Sequence, residues 1–131
     1  MLVVDDDASL RRVIRRVLQR GGCTVEEAGD GESGLARFLA YRPHLAFIDL
    51  GLPGIDGARL IRAIRAEHPD VRLIAMSGAP HFEGVEPAAA ARTAGADAFL
   101  AKPLWPHTIL DALRAERAPD RAGATGAEPE P

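Results

Sequence analysis

Hydrophobic residues occur along this chain in short continuous runs that alternate with longer runs at helical spacing. Each short run is rich in aliphatic residues, and most of the runs stop at a polar residue, which is typical of strands buried in a parallel sheet. We predict five such strands, over residues 2–4, 24–28, 45–48, 71–76 and 98–101.

The segment after the first strand has the clearest helical pattern. Apolar residues recur there at intervals of three and four positions, at Leu10, Val13, Ile14, Val17 and Leu18. Five arginines occupy the opposite side, which we interpret as a solvent-exposed face. Further helices are predicted after the other strands: one that ends before residue 43, one between residues 57 and 69, one over 88–94 and one from about 106 to 117.

Strands and helices that alternate in this way form one parallel sheet with helices on both faces, so we predict an α/β fold. Right-handed crossovers and short connections favour a doubly wound five-stranded sheet, for which the strand order 2-1-3-4-5 is a common arrangement. Ligands of such folds bind beyond the carboxyl ends of the strands. The residues at those ends are therefore the first candidates for a functional site.

Four of the five predicted strands end at polar residues. These are Asp5 and Asp6 after the first strand, Asp49 after the third, Ser77 after the fourth and Lys102 after the fifth. Three carboxylates at one edge repel each other unless a cation neutralises them, and oxygen ligands favour Mg²⁺ over zinc or copper. A lysine and a hydroxyl suit a phosphoryl group, and a carboxylate can itself accept phosphate. The pattern therefore predicts Mg²⁺-dependent phosphoryl chemistry at this edge.

Composition narrows the class of protein. The chain of 131 residues has room for one domain, which we expect over residues 1–117, followed by a disordered tail at 118–131. A net charge of −3 gives no reason to expect nucleic acid, and the single Cys23 allows no internal disulfide and is expected to be buried. Without a membrane helix or a signal peptide in the sequence, we expect a cytoplasmic protein.

Fifteen of the sixteen Lys and Arg residues are arginines, and the exception is Lys102.

Four motifs carry a resemblance to a known family. They are LVVDDD at residues 2–7, FIDLGLPGIDG at 47–57, MSG at 76–78 and GADAFLAKP at 95–103. Together they resemble the receiver domain of bacterial two-component response regulators, and the resemblance covers residues 2 to about 117. It implies a flavodoxin-like (βα)5 receiver fold, similar to that of single-domain chemotaxis regulators.

The resemblance implies that Asp49 accepts a phosphoryl group from a sensor histidine kinase or a histidine phosphotransfer protein. Asp6 and Asp49 would bind Mg²⁺ directly, Asp5 would bind it mainly through water, and the backbone carbonyl of Gly51 would complete the protein ligands. A protein of this kind is not an enzyme in the usual sense. It is a phosphoacceptor switch that assists its own phosphorylation and dephosphorylation.

The resemblance also implies how the switch would operate. Ser77 would move toward the phosphoryl group, Lys102 would contact one of its oxygens, and Phe99 would occupy an aromatic switch position. The peptide between Lys102 and Pro103 would be cis. The altered surface would act on an unknown downstream protein, without direct DNA binding and without a membrane. We therefore expect a single-domain response regulator.

Two other classes of function stay open. A phosphatase of the haloacid dehalogenase type would use Asp5 as its nucleophile, because residues 5–7 also satisfy an Asp-x-Asp pattern. That interpretation leaves Asp49 without a role and lacks a downstream acidic pair. A receiver-like interaction module that no longer uses phosphate is the other alternative, and the presence of all five strand-end residues argues against it.

Several positions depart from the usual receiver pattern. Gly51 and Ala79 stand where other receivers often have larger polar groups that influence the lifetime of the phosphoryl group. The stretch 80–84 lengthens the segment before the fifth strand, and we expect it to reshape the partner surface. We interpret Trp105 as packing at the edge of the core. Docking of a kinase is the minor alternative for the arginine face of the first helix.

Overall fold

The computed structural model describes residues 1–78 and 86–117. Strands and helices alternate along the chain as β1 (Leu2–Val4), α1 (Ala8–Arg20), β2 (Glu26–Ala28), α2 (Gly31–Tyr41), β3 (Leu45–Asp49), α3 (Gly57–Glu67), β4 (Arg72–Ser77), α4 (Pro87–Ala94), β5 (Ala98–Ala101) and α5 (Pro106–Arg117). The predictions for Ala79, the 80–84 stretch and the 118–131 tail lie outside the described residues. Among the described helices, none is long and apolar enough to span a bilayer.

The strands form a single parallel sheet in the order β2-β1-β3-β4-β5, which confirms the predicted α/β class and strand order. Val4 lies opposite Ile48 in the neighbouring strand, and Ser77 lies opposite Ala101. Because all strands are parallel, this register brings their carboxyl ends to one edge of the sheet. The polar residues that end the strands are therefore gathered on that edge.

Apolar layers cover both faces of the sheet. On one face the strands pack against α2, α3 and α4, where Phe38, Ile61 and Ala91 are buried. On the other face they pack against α1 and α5, where Leu18 and Ile109 are fully buried. Burial on both faces explains why the inner strands β1, β3 and β4 are almost continuously apolar, whereas the edge strand β2 carries Glu26 and Glu27.

Aspartates begin three of the helices. The side chains of Asp7, Asp30 and Asp56 accept hydrogen bonds from backbone N–H groups in the first turns of α1, α2 and α3. These N–H groups have no acceptor within the helix, so the caps stabilise the helix starts. Asp7 and Asp56 also end the loops that follow β1 and β3, and they help to fix the polar edge of the sheet.

Some strand boundaries differ from the prediction. β2 begins at Glu26 and not at residue 24, because Glu26 lies opposite Leu2, the first residue of β1, and earlier residues have no strand beside them. β3 and β4 extend to Asp49 and Ser77, which still pair with the neighbouring strands. Two candidate site residues are therefore held by strand pairing rather than by loops.

Candidate functional site

The polar edge of the sheet brings three carboxylates together. One oxygen from each of Asp5, Asp6 and Asp49 lies within 4.8 Å of the others. Asp5 is fully buried and Asp49 is 5% exposed, whereas Asp6 faces solvent. Charged groups of one sign at this separation repel strongly when water is excluded. The cluster therefore requires compensating positive charge.

Lys102 supplies part of that charge. Its Nζ lies 2.8 Å from Asp5 Oδ2 and 3.4 Å from Asp49 Oδ1. Burial lowers the pKa of the Lys102 ammonium, but hydrogen bonding to Asp5 and the charges of both carboxylates outweigh burial and raise the pKa above its ordinary value. The lysine is therefore charged at neutral pH. The peptide between Lys102 and Pro103 is cis, as the resemblance implied.

The surroundings of Asp49 raise the pKa of its carboxyl group above the ordinary value. Burial raises its pKa first, the neighbouring charge of Asp5 raises it further, and Lys102 opposes both effects. The backbone N–H of Gly51 donates to Asp49 Oδ1 over 3.3 Å. In the absence of a cation, these surroundings therefore disfavour the charged form of Asp49.

Asp5 is held on both carboxylate oxygens. Its Oδ1 accepts a 2.8 Å hydrogen bond from the backbone N–H of Asp7, and its Oδ2 forms the ion pair with Lys102. Its backbone N–H continues the β1–β2 pairing by donating to the carbonyl of Ala28 over 3.1 Å. Asp5 is therefore fixed in position, which suits a residue that organises the site.

The donor set fits a hard divalent cation. Three carboxylates provide only oxygen ligands, two of them are buried, and the exposed Asp6 leaves one side of the cluster open to water. Mg²⁺ prefers this combination of a few carboxylates with water and phosphate oxygens. The predicted acidic cluster is therefore present in the structure, and its ligands could hold Mg²⁺.

The remaining predicted residues lie at the same edge or next to it. Ser77 is 5% exposed, and its carbonyl accepts a hydrogen bond from the backbone N–H of Lys102, so these two residues are neighbours. Phe99 is half-buried in β5 and packs against the core layer beside α4. Gly51 is exposed directly after β3, and a Cβ there would meet no atom within 4 Å.

Two features of the site were missed in the sequence. Arg11 was assigned to a solvent-exposed face, but it donates to the carbonyl of Asp5 over 2.6 Å and to Glu27 over 3.1 Å. Glu27 in the second strand was the available signal, because a partly buried carboxylate favours a cationic partner. The second feature is Gly57, where a Cβ would collide with the carbonyl oxygen of Asp49.

Trp105 and Cys23 differ from their predicted environments. Trp105 is 57% exposed, whereas the preceding Leu104 is buried, so the tryptophan is not packed at the core edge. It precedes the first turn of α5, where its carbonyl accepts hydrogen bonds from Thr108 and Ile109. Cys23 is only partly buried, although it does pack against the core layer of α1 and α5.

The fold and the polar edge define a doubly wound signalling protein of the receiver class, and comparison with known families agrees. The model of the response regulator receiver domain family matches residues 1–114. The chain therefore belongs to this family. It is a receiver domain of a response regulator in two-component signalling.

Known proteins of the family resemble this chain over most of its length. The response regulator MprA of Mycobacterium ulcerans (strain Agy99) is 34% identical over 115 residues, which are 88% of this chain and 48% of MprA. The nitrogen assimilation regulatory protein NtrX of Azorhizobium caulinodans is 35% identical over 105 residues, which are 79% of this chain and 22% of NtrX. Because these relatives are much longer, the single-domain expectation stays a prediction.

Solved structures show the same fold. A CheY-like receiver domain protein from Methanospirillum hungatei JF-1 has a TM-score of 0.80 and 29% identity, covering 88% of this chain and 90% of the other. The receiver domain of NtrX from Brucella abortus has a TM-score of 0.76 and 32% identity, covering 88% and 94% of the two chains.

Proposed function

We propose that Asp49 is the phosphoryl acceptor of this receiver domain and that phosphorylation switches a protein-interaction surface. The observation that carries this proposal is the position of Asp49, whose Oδ1 lies 3.4 Å from Lys102 Nζ in a cluster with two further carboxylates. An anionic acceptor needs nearby positive charge to approach an anionic phosphoryl group. Lys102 provides it, and the carboxylate cluster offers a place for Mg²⁺.

The reaction exchanges one bond for another. A carboxylate oxygen of Asp49 attacks the phosphorus of a phosphohistidine, the P–N bond breaks as the P–O bond forms, and the histidine leaves with a proton from solvent. Lys102 would donate a hydrogen bond to a phosphoryl oxygen. Bound Mg²⁺ would supply neutralisation of the charge on those oxygens.

Asp49 is a better acceptor than Asp5. Both carboxylate oxygens of Asp5 are engaged, one by the N–H of Asp7 and one by Lys102, and the residue is fully buried. A nucleophile needs an accessible oxygen with a free line of approach. The contacts of Asp5 therefore argue against the alternative in which Asp5 is the nucleophile of a phosphatase.

The switch would run through Ser77 and Phe99. Ser77 ends β4 beside Lys102, whose ammonium lies 3.4 Å from Asp49, and Phe99 lies in the next strand. A pocket of about 70 Å³ borders Phe99 between α4 and β5. Contacts of a phosphoryl group with Ser77 and Lys102 would favour one arrangement of this region over another.

The donor of the phosphoryl group would be a sensor histidine kinase or a histidine phosphotransfer protein, and the output would be a downstream protein that binds the α4–β5–α5 surface. This region has the half-buried β5 at the edge of the sheet, next to α4. We place the domain at residues 1–117 and the action of the switch in the cytoplasm, where such donors act.

Mass spectrometry of the intact protein tests the proposal. After incubation with Mg²⁺ and acetyl phosphate, the wild type should gain one phosphoryl group, and Asp49→Asn should gain none. The matched control is Asp70→Asn, an exposed aspartate after α3, which should be phosphorylated like the wild type. Equal phosphorylation of Asp49→Asn and the wild type would refute the assignment.

A further inference from the structure

Arg11 differs from the other arginines on the outer side of α1. Its side chain is only 20% exposed, whereas its neighbour Arg12 faces solvent. Burying most of a guanidinium removes it from water, and this is favourable only when its donors find acceptors. The contacts of Arg11 therefore indicate a role beyond surface charge.

The guanidinium of Arg11 binds two acceptors in different directions. Its Nη1 donates to the backbone carbonyl of Asp5 over 2.6 Å, and its Nε donates to Glu27 Oε1 over 3.1 Å. The other oxygen of Glu27 binds Arg15 Nη1 at 2.5 Å. Glu27 is therefore held between two arginines of α1, and it in turn fixes the plane of the Arg11 guanidinium.

This network completes the fixation of Asp5. The N–H of Asp5 donates to Ala28 of β2, and its Oδ1 accepts from the N–H of Asp7. The backbone N–H of Arg11 donates to the carbonyl of Asp7, so the first turn of α1 is closed directly after the carboxylate cluster. With Arg11 on its carbonyl, Asp5 is restrained on its N–H, its carbonyl and its carboxylate.

We propose that Arg11 is a positioning residue of the carboxylate cluster: it holds the main chain at Asp5 so that the cluster is preorganised for Mg²⁺. This inference rests on the proposed function, because it concerns the same metal site. A guanidinium is planar and holds its N–H donors at fixed angles, so it can bind the Asp5 carbonyl and Glu27 at the same time. A lysine ammonium does not reproduce this geometry.

The charge and the geometry of Arg11 have opposite effects on cation binding. As a positive charge beside the cluster, Arg11 disfavours Mg²⁺, so a purely electrostatic role predicts tighter binding when it is removed. As a positioning residue, Arg11 favours Mg²⁺, and its removal should weaken binding. The sign of the change therefore separates the two roles.

Titration calorimetry with Mg²⁺ measures that sign. We expect Arg11→Met to bind Mg²⁺ about tenfold more weakly than the wild type, in the range typical of residues that orient metal ligands. The matched control is Arg12→Met, which removes the same charge from an exposed neighbour and should bind as tightly as the wild type or slightly more tightly. Unchanged or tighter binding by Arg11→Met would overturn the proposal.

A second variant, Arg11→Lys, tests the proposal if Arg11→Met does not fold. Arg11→Lys keeps the positive charge but loses the planar guanidinium, so it too should bind Mg²⁺ more weakly. Wild-type affinity of this variant would overturn the proposal.

Nuclear magnetic resonance gives a readout without metal. The Asp6 amide shares a peptide unit with the Asp5 carbonyl, so its resonance should shift in Arg11→Lys but not in Arg12→Met. No Asp6 shift in Arg11→Lys would likewise contradict it. Absence of Mg²⁺ binding by the wild type would instead refute the metal site of the proposed function.

Discussion

At the scale of single residues, one ammonium group lies between two buried carboxylates. Lys102 contacts Asp5 and Asp49, and it is the one lysine of a chain with fifteen arginines. A compact ammonium on a flexible stem can follow a phosphoryl group, whereas an arginine would favour bidentate pairing with the carboxylates. The site therefore explains why lysine occurs here in a sequence that otherwise uses arginine.

Lys102→Met should destabilise the protein in the absence of Mg²⁺. Asp5 would remain fully buried without its ion-pair partner, and breaking such a pair costs about 3 kcal/mol. Urea denaturation measures the free energy of unfolding. The double variant Asp5→Asn/Lys102→Met should recover at least half of the loss, because it removes the unpaired charge. Equal stability of the single variant and the wild type would contradict this account of the pair.

Asp49→Asn should stabilise the metal-free protein at neutral pH. Burial and the charge of Asp5 raise the pKa of Asp49 in the folded state, so folding becomes less favourable as the pH rises from the ordinary aspartate value to the folded value. Above the folded pKa, the full cost of holding a charged carboxylate at this position lowers the stability of the wild type. Asparagine removes that cost, so the free energy of unfolding should rise by an amount on the order of 1 kcal/mol.

Unfolding of Asp49→Asn and the wild type, compared at several pH values in the presence of a chelator, checks this prediction. The difference should be largest near pH 7 and should disappear below about pH 4, where the carboxyl is protonated in both states. Added Mg²⁺ should stabilise the wild type more than the variant. A pH-independent difference would show that another effect is responsible.

At the scale of elements, the β3–α3 connection positions Asp49, the proposed phosphoryl acceptor. Asp49 ends β3, and α3 begins at Gly57, whose backbone N–H donates to the carbonyl of Leu50 over 3.2 Å. A side chain at Gly57 would strike the backbone of Asp49 and Leu50, which cannot move without disturbing the site. Close approach of the helix start to the strand end therefore requires glycine at this position.

Gly57→Ala should cost about 2 kcal/mol or more of stability and should slow phosphorylation, because the backbone at Asp49 must shift to admit the methyl group. Gly51→Ala is the matched control, since its Cβ would meet no atom within 4 Å and should change stability by less than about 1 kcal/mol. Thermal unfolding compares the two. Similar melting temperatures for both variants would refute the packing argument.

Sequence patterns predicted the order and type of the elements because the inner strands of a sheet buried on both faces need to be almost continuously apolar. The ends of the strands were less predictable. β2 begins only at Glu26 because its partner β1 begins at Leu2, and the sequence of β2 does not encode where its partner begins. The environment of Arg11 was predicted wrongly because helical spacing gives the side of a helix but not what lies beside it. That of Trp105 was predicted wrongly because its aromatic side chain suggested packing at the core edge, whereas it is 57% exposed. The structure brings Asp5, Asp6, Asp49 and Lys102 together because each of them lies at or just after the carboxyl end of a parallel strand, which the sequence pattern shows; their roles stay predictions.

At the scale of the whole molecule, Arg65 ties three parts of the fold together at the edge opposite the site. From the end of α3 it donates to the carbonyl of Gly95 over 2.9 Å and to that of Val71 over 2.7 Å, and it pairs with Asp97 at 2.7 Å. Asp97 in turn accepts the N–H of Leu73 over 2.8 Å. The start of β4 and the α4–β5 turn are thus anchored to α3.

Arg65→Met should lower the free energy of unfolding by about 2 to 3 kcal/mol, because several partly buried carbonyls and Asp97 lose their donor together. Arg62→Met, on the exposed side of the same helix, should change it by less than about 0.5 kcal/mol. Chemical denaturation of both variants gives the comparison. A loss of the same size in Arg62→Met would point to a general charge effect of α3.

The assignment of Asp49 is tested most directly by locating the phosphoryl group on the chain. The protein is incubated with acetyl phosphate and Mg²⁺, and borohydride then converts an acyl phosphate to homoserine, which peptide mass spectrometry can locate. We predict homoserine at position 49 alone, and none when Mg²⁺ is chelated. Homoserine at position 5, or an unmodified Asp49 under conditions that phosphorylate the protein, would contradict the account.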